Sequence, residues 1–141
     1  MDRKDFLSLV GIGVTTVLYG NFIESCASNS SNPTSPPTLP QGGLTLDLTS
    51  SSNSALTQTN GSLLTSGLIV VHTTDTNYYA LSSRCTHQGN TVQYDGANTR
   101  IHCPAHGSNF TLSGAVINGP ASSPLQTYAV NLSGNQLHIS P

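Results

Sequence analysis

Two short stretches of this chain each pair a thiol with an imidazole. Cys85-Thr86-His87-Gln88-Gly89 sets Cys and His two positions apart, and Cys103-Pro104-Ala105-His106-Gly107-Ser108 sets them three apart, with positions 88 to 102 between His87 and Cys103. Two thiols and two imidazoles suit two inorganic partners. One is a single Zn²⁺ held tetrahedrally. The other is a [2Fe–2S] cluster with both thiolates on one iron and both imidazoles on the other. The number of ligands does not separate these, but their distribution bears on the choice. Zinc knuckles commonly pair Cys with Cys and His with His. Here each box is mixed, so two loops must clamp one site from opposite sides, each giving one ligand to each iron. Gly89 and Gly107 follow the ligands of their boxes, where a tight loop often needs positive φ. Ser108 brings a hydroxyl able to donate to a cluster sulfide.

A mixed ligand set also fixes the charge of such a cluster. Two thiolates and two neutral imidazoles bring the oxidised core to zero, whereas four thiolates would leave it at −2. Adding an electron to a neutral centre costs less, and the potential rises into a range of roughly −150 to +300 mV. The added electron should sit on the imidazole-bound iron, so reduction can couple to proton uptake at His87 and His106 where their outer nitrogens reach solvent.

These boxes resemble those of the Rieske iron–sulfur proteins, in Cys85-Thr86-His87-x-Gly89 and in Cys103-Pro104-x-His106-Gly107-Ser108. The likeness extends to Tyr78-Tyr79-Ala80-Leu81-Ser82-Ser83-Arg84 before the first box. It also takes in Gly119-Pro120-Ala121-Ser122-Ser123-Pro124-Leu125 with Tyr128, which is similar to the proline-bearing loop and closing strand of quinol-oxidising members. It covers roughly residues 44–139. The resemblance implies one [2Fe–2S] cluster per chain, with Cys85 and Cys103 on one iron, His87 and His106 on the other, and Ser108 donating to a bridging sulfide. High-potential members of cytochrome bc-type complexes carry an extra Cys in each box, forming a bridge. Here those positions are Asn90 and Ala105, so packing and backbone hydrogen bonds alone are expected to hold the loops. Such members also carry a Tyr two residues after the Ser, where this chain has Phe110. With one donor kept and one lost, an intermediate potential is expected.

Strands must position the boxes. From Leu44 the apolar period is two: Leu44, Leu46 and Leu48 alternate with Thr45, Asp47 and Thr49, the mark of a half-buried strand. Residues 67–73 and 77–82 read as two more strands joined at Asp75-Thr76-Asn77. Residues 91–94 and 99–102 flank Asp95-Gly96-Ala97-Asn98, a hairpin turn. Both ligand loops therefore lie at one end of a small hairpin and its turn at the other. Residues 109–112 and 115–118 pair around Ser113-Gly114, and residues 125–132 and 136–139 form a closing hairpin. No stretch after Gly43 shows helical periodicity. The expected fold is all-β over residues 44–141: a Rieske-like antiparallel β-sandwich with an inserted cluster-binding subdomain. His72, His102 and His138 fall in strand patterns and are expected to be ordinary strand residues. For Arg84, next to Cys85, a solvated side chain is expected, with an influence on partner docking as the alternative.

The 141 residues suffice for one such domain. Only 7% are charged. After Cys26 the basic residues are Arg84 and Arg100 against Asp47, Asp75 and Asp95, a net charge of −1 with no basic patch for nucleic acid. With two of three cysteines in the boxes, Cys26 has no partner for a structural disulfide.

Residues 1–26 read as an export signal or membrane anchor helix. Arg3 and Lys4 precede an uncharged, mostly apolar run from Phe6 to Ile23, in the pattern of a basic n-region and an apolar h-region. At ~1.5 Å per residue it spans much of a bilayer core of roughly 30 Å. Arg3-Lys4-x-Phe6-Leu7 resembles a twin-arginine signal with Lys for the second Arg; an ordinary signal or an uncleaved helix is the alternative. Ile23-Glu24-Ser25-Cys26 is a candidate lipoprotein site with Cys26 as the lipidated residue. Residues 27–43, rich in Ser, Asn and Pro, have little to bury and read as a flexible linker. The expectation is an exported, membrane-tethered protein of a bacterial periplasm or cell surface. It would carry single electrons from a quinol-oxidising or other redox enzyme to a cytochrome-type acceptor. The alternatives are an accessory Rieske subunit of an exported molybdenum oxidoreductase of the arsenite-oxidase type and, more remotely, a structural zinc module. An oxygenase would need a second domain with its own iron site.

Overall fold

The computed structural model describes residues 37–141. The signal or anchor over 1–26, with Cys26, and most of the expected linker lie outside the described residues.

The centre of the domain is a strand that is apolar on both faces. β3 (Leu68–His72) alternates Leu68 and Val70 with Ile69 and Val71, and all four are buried. Successive strand side chains face opposite ways, so one short strand serves two cores. Leu68 and Val70 join Leu39, Leu46, Leu56, Ala80, Leu137 and Ile139. Ile69 and Val71 join Leu81, Val92, Ile101, Phe110 and both box cysteines.

Around it lie β1 (Leu44–Asp47), β2 (Ser62–Thr65), β4 (Tyr78–Ser82), β9 (Thr127–Ser133) and β10 (Gln136–Ser140). They form a six-stranded sheet in the order β1-β10-β9-β4-β3-β2. A second, four-stranded sheet comprises β5 (Gln93–Asp95), β6 (Arg100–His102), β7 (Asn109–Phe110) and β8 (Val116–Asn118) in chain order. All pairings are antiparallel. The second sheet is inserted between β4 and β9 of the first. The expected all-β class and inserted subdomain are both present.

Two elements carry no signal in the sequence pattern. Ser51–Thr57 is a 3-10 helix, though Ala55 and Leu56 are its only apolar residues and make no stripe. Only Leu56 is buried, at 0% exposure. The helix is tied to the sheet: the Tyr78 hydroxyl donates to the Leu56 carbonyl at 3.3 Å. The His72 ring stacks on Tyr78 at 4.4 Å between centroids, with Nδ1 3.1 Å from the Gln58 carbonyl. β2 is the other, an edge strand with Leu64 exposed. Packing also begins before Leu44. The Tyr128 hydroxyl donates to the Pro37 carbonyl at 2.7 Å, and Leu39 is buried in the core. Residues 37–43, expected to be linker, are thus held against the domain, because Leu39 has a pocket to fill.

Because Leu56 is the only buried side chain of its helix, Leu56→Ala should cost about 2–5 kcal/mol of unfolding free energy. Chemical denaturation should show a lower midpoint at an unchanged slope.

Candidate metal centre

β4 runs directly into the first box, β5 and β6 form a hairpin, and β6 runs directly into the second. Pairing of Gln93 with His102 and of Asp95 with Arg100 puts the hairpin turn at the end away from Cys103. Both boxes are therefore delivered to one end of the same two-stranded ribbon, as the sequence pattern requires.

The two boxes fold into the same turn. The Cys85 N–H donates to the Asn90 carbonyl at 2.8 Å, and the Gly89 N–H donates back to the Cys85 carbonyl at 2.8 Å. In the second box the Cys103 N–H donates to the Ser108 carbonyl at 2.8 Å, and the Gly107 N–H to the Cys103 carbonyl at 2.9 Å. Gly89 and Gly107 have φ of 73° and 82°. An added Cβ at Gly107 would meet nothing within 4 Å, so backbone conformation, not space, calls for glycine there.

These turns sort the four donors by burial. Cys85 and Cys103 are 1% and 0% exposed, His106 is exposed and His87 partly so. Burial pushes the Cys85 thiol up in pKa; the backbone N–H groups of His87 and Gln88 pull it down, and the neighbouring Cys103 thiol raises it further. An isolated thiolate pair is therefore unfavourable here, and a cation that takes both sulfurs removes the conflict.

The imidazoles meet edge to face, with centroids 4.8 Å apart and planes at 85°. Their Nδ1 atoms are 3.3 Å apart. Two nitrogens bound tetrahedrally to one metal at roughly 2.0–2.1 Å lie about 3.3–3.4 Å from each other. The Nδ1 separation of the histidine pair is thus the one that two ligands of a single ion would have. Among the described residues no three His, Cys, Asp or Glu side chains gather into a one-metal site. The donors form two pairs, thiol beside thiol and imidazole beside imidazole. That division fits the two-iron alternative better than a single zinc.

The loop from Asn118 to Leu125, with a cis Gly119–Pro120 bond, fastens both boxes. The Thr86 hydroxyl donates to the Ser123 carbonyl at 2.7 Å, and the Ala121 N–H donates to Ser108 Oγ at 3.0 Å. Ser108 is fully buried, and with its oxygen already accepting, its proton is left to donate. A second brace lies behind the second box. The Asn118 amide donates to the Gly107 and Gly119 carbonyls, at 2.9 and 3.0 Å. The Asn109 amide donates to Gly107 O and Asn118 Oδ1, at 3.1 and 2.7 Å, and accepts from His102 Nδ1 at 2.8 Å.

The expectation that packing and backbone hydrogen bonds alone hold the loops is corrected: side chains of Thr86, Ser108, Asn109 and Asn118 take part. The partner of Thr86 lies 37 residues away, so the motif itself carries no signal for this bond. Asn90 and Ala105 are both exposed. His72, His102 and His138 are strand residues bonded to Gln58, Asn109 and Thr45 respectively.

Residues 47–129 match the family model of the Rieske [2Fe-2S] domain. The chain is 40% identical over 65 residues to the chloroplastic cytochrome b6-f complex iron-sulfur subunit of Bigelowiella natans, covering 46% of this chain and 26% of that one. It is 39% identical over 61 residues to the cytochrome b6-f complex iron-sulfur subunit of Chlorobaculum tepidum, covering 43% and 34%. The alignments thus span about a quarter to a third of those relatives. The fold is shared with the ferredoxin of carbazole 1,9a-dioxygenase from Nocardioides aromaticivorans, at a TM-score of 0.52 and 24% identity over 74% of this chain and 99% of that one.

Thr86→Val keeps the shape of the side chain and removes its donor. It should destabilise the domain by about 0.5–1.5 kcal/mol, and bound iron should leave faster on mild heating. Denaturation curves and the decay of visible absorbance check the two effects.

Proposed function

The chain belongs to the Rieske [2Fe–2S] domain family, and from that premise we propose that it is a single-electron carrier whose cluster is held by Cys85, Cys103, His87 and His106. The observation that carries this reading is the 3.3 Å separation of the two imidazole Nδ1 atoms in loops whose two thiols are both buried. Cys85 and Cys103 hold one iron and His87 and His106 the other. When bound, the cluster supplies one-electron redox chemistry at a potential raised by its two imidazole ligands.

The protein's own residues do the rest. Burial of the thiols excludes water from the sulfur side. The outer edges of the imidazoles reach the surface, His106 most openly, which shortens the path to a partner. Ser108, fixed by the Ala121 N–H, keeps its own proton to donate, and a donor to the sulfur side of a bound cluster would favour the more negative state. Phe110, fully buried, has no hydroxyl to add a second donor.

The partners belong to the same proposal. Relatives that match carry names of iron-sulfur subunits of cytochrome b6-f complexes, which supports a carrier working between a quinol-oxidising or other redox enzyme and a cytochrome-type acceptor. The basic and apolar run of residues 3–23, followed by Cys26, supports export to a periplasm or cell surface and tethering to the membrane by a helix or a lipid. Among the described residues no helix is long and apolar enough to cross a membrane, so the tether would be that run.

The protein prepared with its iron should be coloured and, when reduced, paramagnetic by electron paramagnetic resonance. A colourless, diamagnetic protein holding one zinc would overturn the proposal. Redox titration should place the midpoint between the extremes of the roughly −150 to +300 mV range of Rieske centres, and Ser108→Ala should move it downward. A midpoint unchanged by that substitution would remove Ser108 from the account.

A further inference from the structure

The few charges of the described domain are distributed by pole. Asp75 lies in the turn between β3 and β4, beyond the rung of His72 and Tyr78, while the first box leaves the opposite end of β4. Asp95 lies at the hairpin end away from Cys103 and is bonded to Arg100 at 2.9 Å. Asp47 pairs with Gln136, beside the turn that joins β9 to β10. β9 begins beside Leu81 and runs from there away from the boxes. All three carboxylates therefore sit at the pole opposite the boxes. Hydrogen bonds from Thr49, from Thr73 and Asn77, and from Asn98 and Arg100 hold Asp47, Asp75 and Asp95 respectively below the usual carboxylate range, so that pole stays negative.

The box pole is different. Its exposed side chains include Gln88, Asn90, Pro104, Pro120 and Ser123, none of them charged. Arg84 precedes Cys85, is partly exposed, and bridges through its backbone to Thr91. Among the described residues the only ion pair is Arg100 with Asp95, and none of their carboxylates pairs with the Arg84 guanidinium. Of the described charged residues, Arg84 adjoins the first box in the chain, and the three carboxylates lie away from both boxes. Such a distribution orients an approaching molecule.

We propose that Arg84 and the uncharged surface around the two boxes form the docking face for a redox partner that presents a carboxylate beside its own electron port. The inference rests on the electron-carrier reading for its purpose, but not for its geometry. An uncharged rim lets two surfaces approach at little desolvation cost. A guanidinium offers two parallel N–H donors to a carboxylate, which fixes orientation as well as attraction.

The test uses the full chain with its iron, in detergent, and a gold surface coated with a carboxylate-terminated alkanethiol as the acidic partner. Arg84→Gln and Arg100→Gln change the net charge equally, but at opposite poles. Surface plasmon resonance at low salt should show Arg84→Gln retained about two- to fivefold less than the parent, in line with an exposed ion pair, and the difference should vanish at about 1 M salt. Arg100→Gln should be retained like the parent, and Arg84→Lys should recover most of the binding. Equal losses for the two Gln variants would overturn the proposal, since bulk charge would then explain them. Voltammetry on the same surface separates this inference from the functional one. Binding through Arg84 without a reversible wave would sink electron transfer and leave the docking face. A wave with no Arg84 dependence of retention would do the reverse.

Discussion

Everything in this domain depends on keeping two thiols buried while the two imidazoles of the same loops are not. The same loops must do both, because each box supplies one thiol and one imidazole. The shared turn solves this. Pinning the Cys N–H to a carbonyl five residues on points the sulfur inward, and the glycine at positive φ brings the chain back out. The imidazole, two or three residues after the sulfur, is left on the outer side. The 3.3 Å approach of the two Nδ1 atoms is then a consequence of setting two copies of one turn side by side.

Burial of the thiols also explains why the two sheets are joined as they are. Cys85 and Cys103 are members of the same apolar cluster as Ile69, Val71 and Leu81 of the large sheet and Val92, Ile101 and Phe110 of the small one. The sulfur side of the site is therefore walled by the contact between the sheets, and displacing the subdomain would wet it. Phe110 is part of that wall. A hydroxyl there would need a partner, so its absence suits the packing.

Much of this was legible from the chain. The four donors, the two glycines and the hairpin between the boxes follow from residue types at short spacing, because turns and ligand loops are local. The strand with a clean period of two from Leu44, and the closing hairpin around Ser133-Gly134-Asn135, were legible for the same reason. What could not be read depends on distant partners. The 3-10 helix at Ser51–Thr57 exists because one leucine finds a buried slot and a tyrosine 22 residues away caps its carbonyl. The attachment of residues 37–43 needs Tyr128, 91 residues on from Pro37. Composition alone made those residues linker, since a single leucine among prolines and glycines gives no periodic signal.

Among the described residues no disulfide clamps the two boxes. In the members this chain resembles, the loops are joined by a bridge between cysteines, and here the corresponding Asn90 and Ala105 stand in solvent. The loop over residues 118–125 takes over part of that task, bonding to Thr86 of one box and Ser108 of the other. A bridge would tie the boxes to each other without reference to the sheets. Hydrogen bonds to a third segment instead tie both boxes to the chain that leads into β9, and so to the large sheet itself. The stability of the site then follows the stability of the whole domain, because the fastening loop keeps its place only while Ala121 and Leu125 stay buried in the shared core. In this protein the metal centre and the fold are held by the same contacts.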